Sequence, residues 1–512
     1  MALPSFAGPI GGPDPSTMTG QDRVRGGGRR CSRNSAGGLV RIATAQLVWT
    51  VSLLMAVDPV RAQTDPGRVR EDFSRDPGWE GRRNVADPSA CVVKVQDFGF
   101  SATRHAGGEP GEIGGRVCRS PTPAVYAKKI PIRTLNDRLR ARGKFSVTRS
   151  AGGSGVLIGW FNSASRGWRT PNSLAFRIDG EAGKFRVFFE YGTQTWKTGG
   201  GTTFEGRYQT TKTPMFLADG KPHTWSLDYN PGGADGAGEI TFTLDGKVYK
   251  AALKPGHKTE GAVFDRFGIM NVQISGDCIT PWLDDLAIDG AREDFSADPG
   301  WEGRGNRIRF EERVVRPHHD FGHRKTSHAG GKPGEVGGVM WRIESTRPQN
   351  AGYYGAPIGP LSLDWELSAS GKVCLRAASS DSGILVGWFN SLTYIGAPPP
   401  NFLGIFIEGP SRIGHYVRPA YGTSDDVKGV MGSGPIIRPD GKGHDWTLRY
   451  DPRANEGRGR IVMTLDGHSV SMDLKVEARK GNAAFDRFGF VSWHRGGHFV
   501  EIYFDDIAYT AR

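Results

Sequence analysis

The sequence predicts an all-β protein made of two tandem antiparallel β-sandwich domains, and three observations carry that expectation. First, a unit of about 220 residues occurs twice, from Glu71 in EDFSRDPGWEGR to Ile288 and from Glu293 in EDFSADPGWEGR to Tyr509; that is the size of a whole domain, far above a solenoid repeat. Second, apolar residues alternate with period two inside both units. Third, no apolar pattern of helical period runs to useful length, Ala262 to Phe267 offering one turn at most, while 74 Gly and 32 Pro supply turns.

Residues 1–62 stand apart from the repeat. Residues 1–42 are rich in Gly and Arg, have no apolar periodicity and read as disordered. The run ATAQLVWTVSLLMAV from Ala43, preceded by Arg41 and followed by Val60-Arg61-Ala62, reads as a signal peptide cut after Ala62. Thr44, Gln46 and Thr50 inside it, with Asp58-Pro59 closing it, argue against a spanning anchor, and no later segment has the length and apolarity to cross a bilayer. The expected division is therefore 1–62 as disordered n-region and signal peptide, 63–290 as the first sandwich and 291–512 as the second. The expected location is outside the cytoplasm, secreted or in the periplasm or cell envelope. Of the formal net charge of +12, seven Arg and three Asp fall in residues 1–62, so the remaining excess is +8. These charges are interspersed, without the basic block that nucleic acid or a membrane surface selects, and an acidic polymer outside the cell suits them.

Four cysteines follow residue 62: Cys91, Cys118, Cys278 and Cys374. At the repeat's shift of 223, Cys91 and Cys118 fall on Val314 and Trp341. Their joint absence from the second unit predicts a Cys91–Cys118 bridge, contributing about 3 kcal/mol by chain entropy, and leaves Cys278 and Cys374 as buried free thiols. The spacings do not resemble a zinc site. No cofactor is expected, with calcium left open by Asp284-Asp285 and Asp505-Asp506; adjacent strand residues face opposite ways, so one carboxylate of each pair at most reaches a given ion.

Taken in order, the strands recur in both units. Val156–Asn162 matches Ile384–Asn390, Thr224–Tyr229 matches Asp445–Tyr450, and Ile240–Leu244 and Ile461–Leu465 each run into an Asp-Gly pair, Asp245-Gly246 and Asp466-Gly467, favoured by tight hairpins. His223 and His444, just before their strand tryptophans, read as structural. Phe264-Asp265-Arg266-Phe267-Gly268, repeated at 485–489, reads as a turn held by an Asp/Arg pair between two core rings. The HTWSLDYNP strand, the TFTLDG hairpin and the closing strands LDDLAI and IYFDDIAY resemble the jelly-roll sandwiches of the concanavalin A-like lectin and glucanase superfamily, including laminin G-like modules. That resemblance implies neighbouring first and last strands, the first holding Phe73 or Phe295, and a sheet face that binds or cuts glycans.

Asp97–Gly115, DFGFSATRHAGGEPGEIGG, returns at Asp320–Gly338 as DFGHRKTSHAGGKPGEVGG, identical at 13 of 19 positions. Each copy keeps a polar set in fixed register: His105, Glu112 and Arg119, then His328, Glu335 and Arg342. Two readings stand side by side, a ligand site among turning glycines and a staple that holds a surface loop by side chain to backbone bonds. Alternation adds Trp160 with Asn162 and Trp388 with Asn390, a ring to stack on sugar beside an amide, or else a core ring and a loop start. Asn172 with Asn401 and Asp179 with Glu408 also recur. The leading expectation is a carbohydrate-binding, lectin-like protein for an extracellular polysaccharide, its two sites giving avidity. A polysaccharide lyase is the alternative, with His105, Arg119 and Tyr126, or His328, Arg342 and either Tyr353 or Tyr354, as base and uronate binder. A glycoside hydrolase ranks below it, because the paired carboxylates of the Glu-x-Asp-x-x-Glu strand are absent. A structural envelope protein that binds other proteins is the third reading.

Overall fold

A computed structural model describes residues 67–85, 92–201, 215–293, 295–312, 318–379, 381–409 and 414–512. The signal-peptide reading and Cys91 lie outside these residues. The all-β expectation holds: the described residues form four antiparallel sheets, one of nine strands and three of eight, and only short helices, His257–Glu260 and Val476–Gly481, with a 3₁₀ turn at Pro348–Asn350. The sheets pair face to face as two antiparallel β-sandwiches, each around its own apolar core. The single helical turn falls just before Ala262, and residues 263–271 are strand. No helix of the described residues is long and apolar enough to cross a membrane.

Each sandwich has a long sheet with Leu139–Ser150 or Leu367–Ala378 at its centre, between His223–Asn230 or Gly443–Asp451 on one side and the closing strand, Cys278–Ile288 or Phe499–Ala511, on the other. The opposite sheet is centred on Ser154–Phe161 or Ser382–Phe389. Alternation sorts the faces. Leu139, Ala141, Phe145 and Val147 enter the core, while Arg140 and Arg142 point out. The Asp-Gly turns are as expected, with φ of 48° and 80° at Asp245 and Gly246 and 47° and 80° at Asp466 and Gly467, the signature of a two-residue turn matched to strand twist. His223 Nδ1 and His444 Nδ1 tie their strands to these turns through Asp245 and Asp466, at 2.7 and 2.6 Å.

The sheets do not divide where the sequence repeat does. Asp289 and Gly290, both at positive φ, form one more two-residue hairpin, so Ala291–Glu293 folds back onto Cys278–Ile288 with Ile288 opposite Ala291. Glu302–Arg304 and Arg307–Glu312 then add to the two sheets of the first sandwich. The equivalent N-terminal pieces belong to the second sandwich: Gly67–Glu71 pairs with Phe499–Ala511, and Glu80–Arg82 with Tyr353–Ser362. The expected boundary near 290 is thus corrected, because a hairpin there delivers residues 291–312 to the unit that precedes them. Phe295 and Trp301 sit in the first core, Phe73 and Trp79 in the second. A further apolar cluster, including Leu157, Phe161 and Met270 with Val339, Trp341 and Phe499, packs the two sandwiches together.

The disulfide expectation is also corrected. Cys118 bonds Cys278, its direct partner across the pairing of Glu112–Cys118 with the closing strand, and only Cys374 is free among the described residues. In the second sandwich the same two positions are Trp341 and Phe499, whose rings lie 5.3 Å apart. The Phe264–Gly268 stretch is strand with a bulge at Asp265, not a turn; Asp265 accepts from Ser163, and Arg266 pairs with Glu302 at 2.7 Å.

Candidate functional site

The repeated motif forms a loop laid over the outer face of each long sheet. Glu112, fully buried, accepts from the backbone N–H groups of His105 and Ala106 at 2.8 and 2.7 Å. Glu335 does the same for His328 and Ala329, at 2.9 and 2.7 Å. A Cβ on Gly107 would lie 1.7 Å from Asp284 Oδ2, and one on Gly330 1.6 Å from Asp505 Oδ2, so only glycine lets the loop close on these carboxylates. The Asp-Asp pairs are β-bulges: Asp285 and Asp506 take φ near 50° and turn out to Lys144 and Lys372, at 2.6 and 2.5 Å. Asp284 and Asp505 turn in beneath the loop, where desolvation above all, reinforced by the neighbouring carboxylates, pushes each up to about 6. Among the described residues no group of three His, Cys, Asp or Glu side chains is placed to hold a metal.

The twelve residues singled out from sequence separate into distinct roles. Trp160 and Trp388 are fully buried core rings packed edge-on against Phe267 and Phe488; the stacking-surface expectation for them is corrected, because their face of the strand is the inner one. Asn162 and Asn390 accept from the backbone two residues on and start loops. Arg119 and Arg342 are drawn inward to Asp179 and Glu408, at 2.6 and 3.1 Å, which explains why those acidic positions recur. Tyr126 lies over Trp301 and donates to Asp298, and Tyr353 donates to Glu80; both phenols are pushed up, by burial first. His105 and His328 remain on the outer face, against Trp282 at 4.9 Å and Tyr503 at 4.5 Å. Burial, with Arg376 at 2.9 Å from Nε2, holds His328 below the usual imidazole range. The His, Arg and Tyr needed for a lyase are therefore not brought together: the histidine sits on the long sheet, while the arginine and tyrosine serve the opposite sheet.

Sequence reasoning missed the grooves that lie on the outer faces, at the same end of each long sheet. The first, about 1070 Å³, runs over Arg133, Arg138, Arg140, Arg142 and Lys250, with Asp137, Asp228, Glu239, Asp289, Ser226 and Thr241 between them. Lys250 pairs with Glu239 at 2.9 Å, Arg133 with Asp289 at 3.8 Å and Arg140 with Asp228 at 3.9 Å. Arg138 and Arg142 are exposed and make no ion pair among the described residues. The second groove, about 550 Å³, occupies the matching place over Trp365, Glu366, Ser368, Arg449 and Arg453, with Arg68 at its edge. Ser368 and Ser370 stand where the first sheet has Arg140 and Arg142. The period-two outward arginines were the available signal.

No protein-family model and no curated protein matches the chain. Solved structures with a similar fold include the mouse laminin alpha1 chain domains LG4-5, at 13% identity over 78% of this chain and 91% of that one, TM-score 0.22. The Emp47p carbohydrate recognition domain is 11% identical over 44% and 96%, TM-score 0.21. The botulinum neurotoxin serotype C1 binding domain is 10% identical over 84% and 93%, TM-score 0.22. At such scores no ligand or residue role passes from these proteins to this chain.

Proposed function

We propose that this protein is a two-module glycan-binding protein acting outside the cytoplasm, which takes an extracellular polysaccharide along the outer faces of its long sheets. The observation that carries the reading is the pair of grooves at matching positions, lined by interleaved guanidinium, hydroxyl and carboxylate groups, the mixed donors and acceptors that sugar hydroxyls require. In the first groove Arg138 and Arg142, which make no ion pair among the described residues, are forks suited to a carboxylate or sulfate, which favours an acidic polymer. The Cys118–Cys278 bridge suits an oxidising compartment.

The test is a glycan array on the chain from residue 63 onward, followed by titration calorimetry with a polyuronate and a neutral polysaccharide of equal length. Polyuronate is expected to bind more tightly and to weaken with salt. Arg138→Ala with Arg142→Ala is expected to lower polyuronate affinity about 10- to 100-fold, as for loss of hydrogen bonds to a charged group. Binding of no glycan, or undiminished polyuronate binding by the double variant, sinks the reading.

A further inference from the structure

EDFSxDPGWEGR occurs twice, differing only at Arg75 and Ala297, and both copies are seated alike. Trp79 packs on Phe73 at 5.3 Å and Tyr354 at 5.7 Å; Trp301 packs on Phe295 at 5.6 Å and Tyr126 at 5.9 Å. Glu80 pairs with Arg487 as Glu302 does with Arg266. Asn84 Nδ2 donates to Phe321 O at 2.5 Å, and Asn306 Nδ2 to Phe98 O at 2.6 Å. The repeated motif takes part: a Cβ on Gly111 would lie 2.0 Å from Phe295 O, and one on Gly334 2.2 Å from Phe73 O. The loop that dominates the sequence repeat is thus built to receive this arm.

Only connectivity separates the two cases. Residues 291–293 are delivered by the Asp289-Gly290 hairpin from the strand they pair with, and Glu302–Arg304 follow close behind onto the opposite sheet of the same sandwich. The N-terminal arm reaches a sandwich distant in the chain, Glu80 meeting Arg487 across 407 positions. We propose that the arm groove of the second sandwich is an interaction surface for the arm of another copy of this chain, so that copies join by exchanging residues 67–84. The groove's chemistry does not distinguish its own arm from an identical one. Covalent connection gives the internal arm an effective concentration of millimolar order, so dilute chains hold their own arms and crowded chains share them. Reciprocal exchange closes a dimer, and one-way donation extends a chain of copies.

The test uses full-length chains. One carries Gly67→Cys and another Ala511→Cys, positions that face each other across the arm pairing. The two are unfolded in denaturant with the Cys118–Cys278 bridge intact, refolded together at about 1 µM to about 1 mM, a range that climbs to the effective concentration, and then oxidised. A covalent heterodimer is expected, its 67–511 cross-link found by peptide mapping, rare at the lowest concentration and comparable to monomer at the highest. A third chain with both substitutions is expected to close the bond internally. No heterodimer at any concentration, with the third chain closed, overturns the proposal. So does a heterodimer that survives Trp79→Asp in the donor, since undocked arms then met by collision. Failure of the third chain to close overturns the arm pairing and the proposal with it.

Discussion

Glu112 and Glu335 show how a residue that looks like ligand chemistry serves the backbone. Each carboxylate occupies two N–H groups of its loop, so Glu112→Ala or Glu335→Ala strands buried donors and is expected to cost about 1–3 kcal/mol apiece. Thermal melts should fall, while polyuronate affinity of the surviving folded fraction stays unchanged; a loss of affinity with unchanged melting would assign these carboxylates to the ligand. Asp284 and Asp505 act in the opposite sense. Lifted from 3.8 to about 6, each binds its proton more tightly folded than unfolded. Stability from this source is therefore present below about pH 4 and is lost as pH rises through about 6. Asp284→Asn and Asp505→Asn, which keep the Oδ1 acceptor for the following N–H, should raise the melting point at pH 7.5 and leave it near unchanged at pH 4. The gain is on the order of 1 kcal/mol each, after allowance for solvent at the bulge. The His/Glu/Gly set was legible as a unit because it repeats. Its reason was hidden, since the aspartate against which Gly107 closes lies far along the chain.

At the scale of elements, strands and Asp-Gly hairpins were readable from period and turn chemistry, and Asp289-Gly290 carried the same signal as Asp245-Gly246. Read as a junction between units it conceals the fold; read as a hairpin it places residues 291–293 on the first sandwich. Cysteine pairing failed for a related reason. Counting which cysteines vanish together omits replacement in kind, and Trp341 against Phe499 is such a replacement, an apolar clasp where the first unit has a covalent one. Cys278→Ser is expected to cost about 2–4 kcal/mol, measured by denaturant unfolding with and without reductant; a change confined to the reduced chain would contradict the bridge. Cys374 lies under Ala329 and Tyr503, and burial pushes its thiol up to about 12. Maleimide labelling at pH 7.5 should therefore spare it until the second sandwich unfolds.

Over the whole molecule, the sequence repeat and the folded unit are out of phase by one arm. A fragment of residues 92–312 contains the strands of the first sandwich together with Phe295 and Trp301, and is expected to melt cooperatively at low micromolar concentration. At higher concentration the apolar face of Leu157, Phe161 and Met270, no longer covered by the second sandwich, should cause association. A fragment of residues 63–290 lacks Phe295 and Trp301, and the like arm it carries at its N-terminus is not delivered to the emptied groove by the Asp289-Gly290 hairpin; it should melt at a lower temperature than 92–312. Cooperative melting of the second fragment but not the first would restore the boundary at 290. Gly67 opposite Ala511 and Val69 opposite Tyr509 repeat the register that Ala291 and Ile288 share across their hairpin. Linking Tyr509 to Val69 through two residues such as Asp-Gly, and cutting between Asp289 and Gly290, would yield a circular permutant in which every strand keeps its partner strand, with only the Gly67–Ala511 and Arg68–Thr510 pairs replaced by the new turn. The polypeptide is in this sense a ring opened once, and the order of its two units carries no structural information.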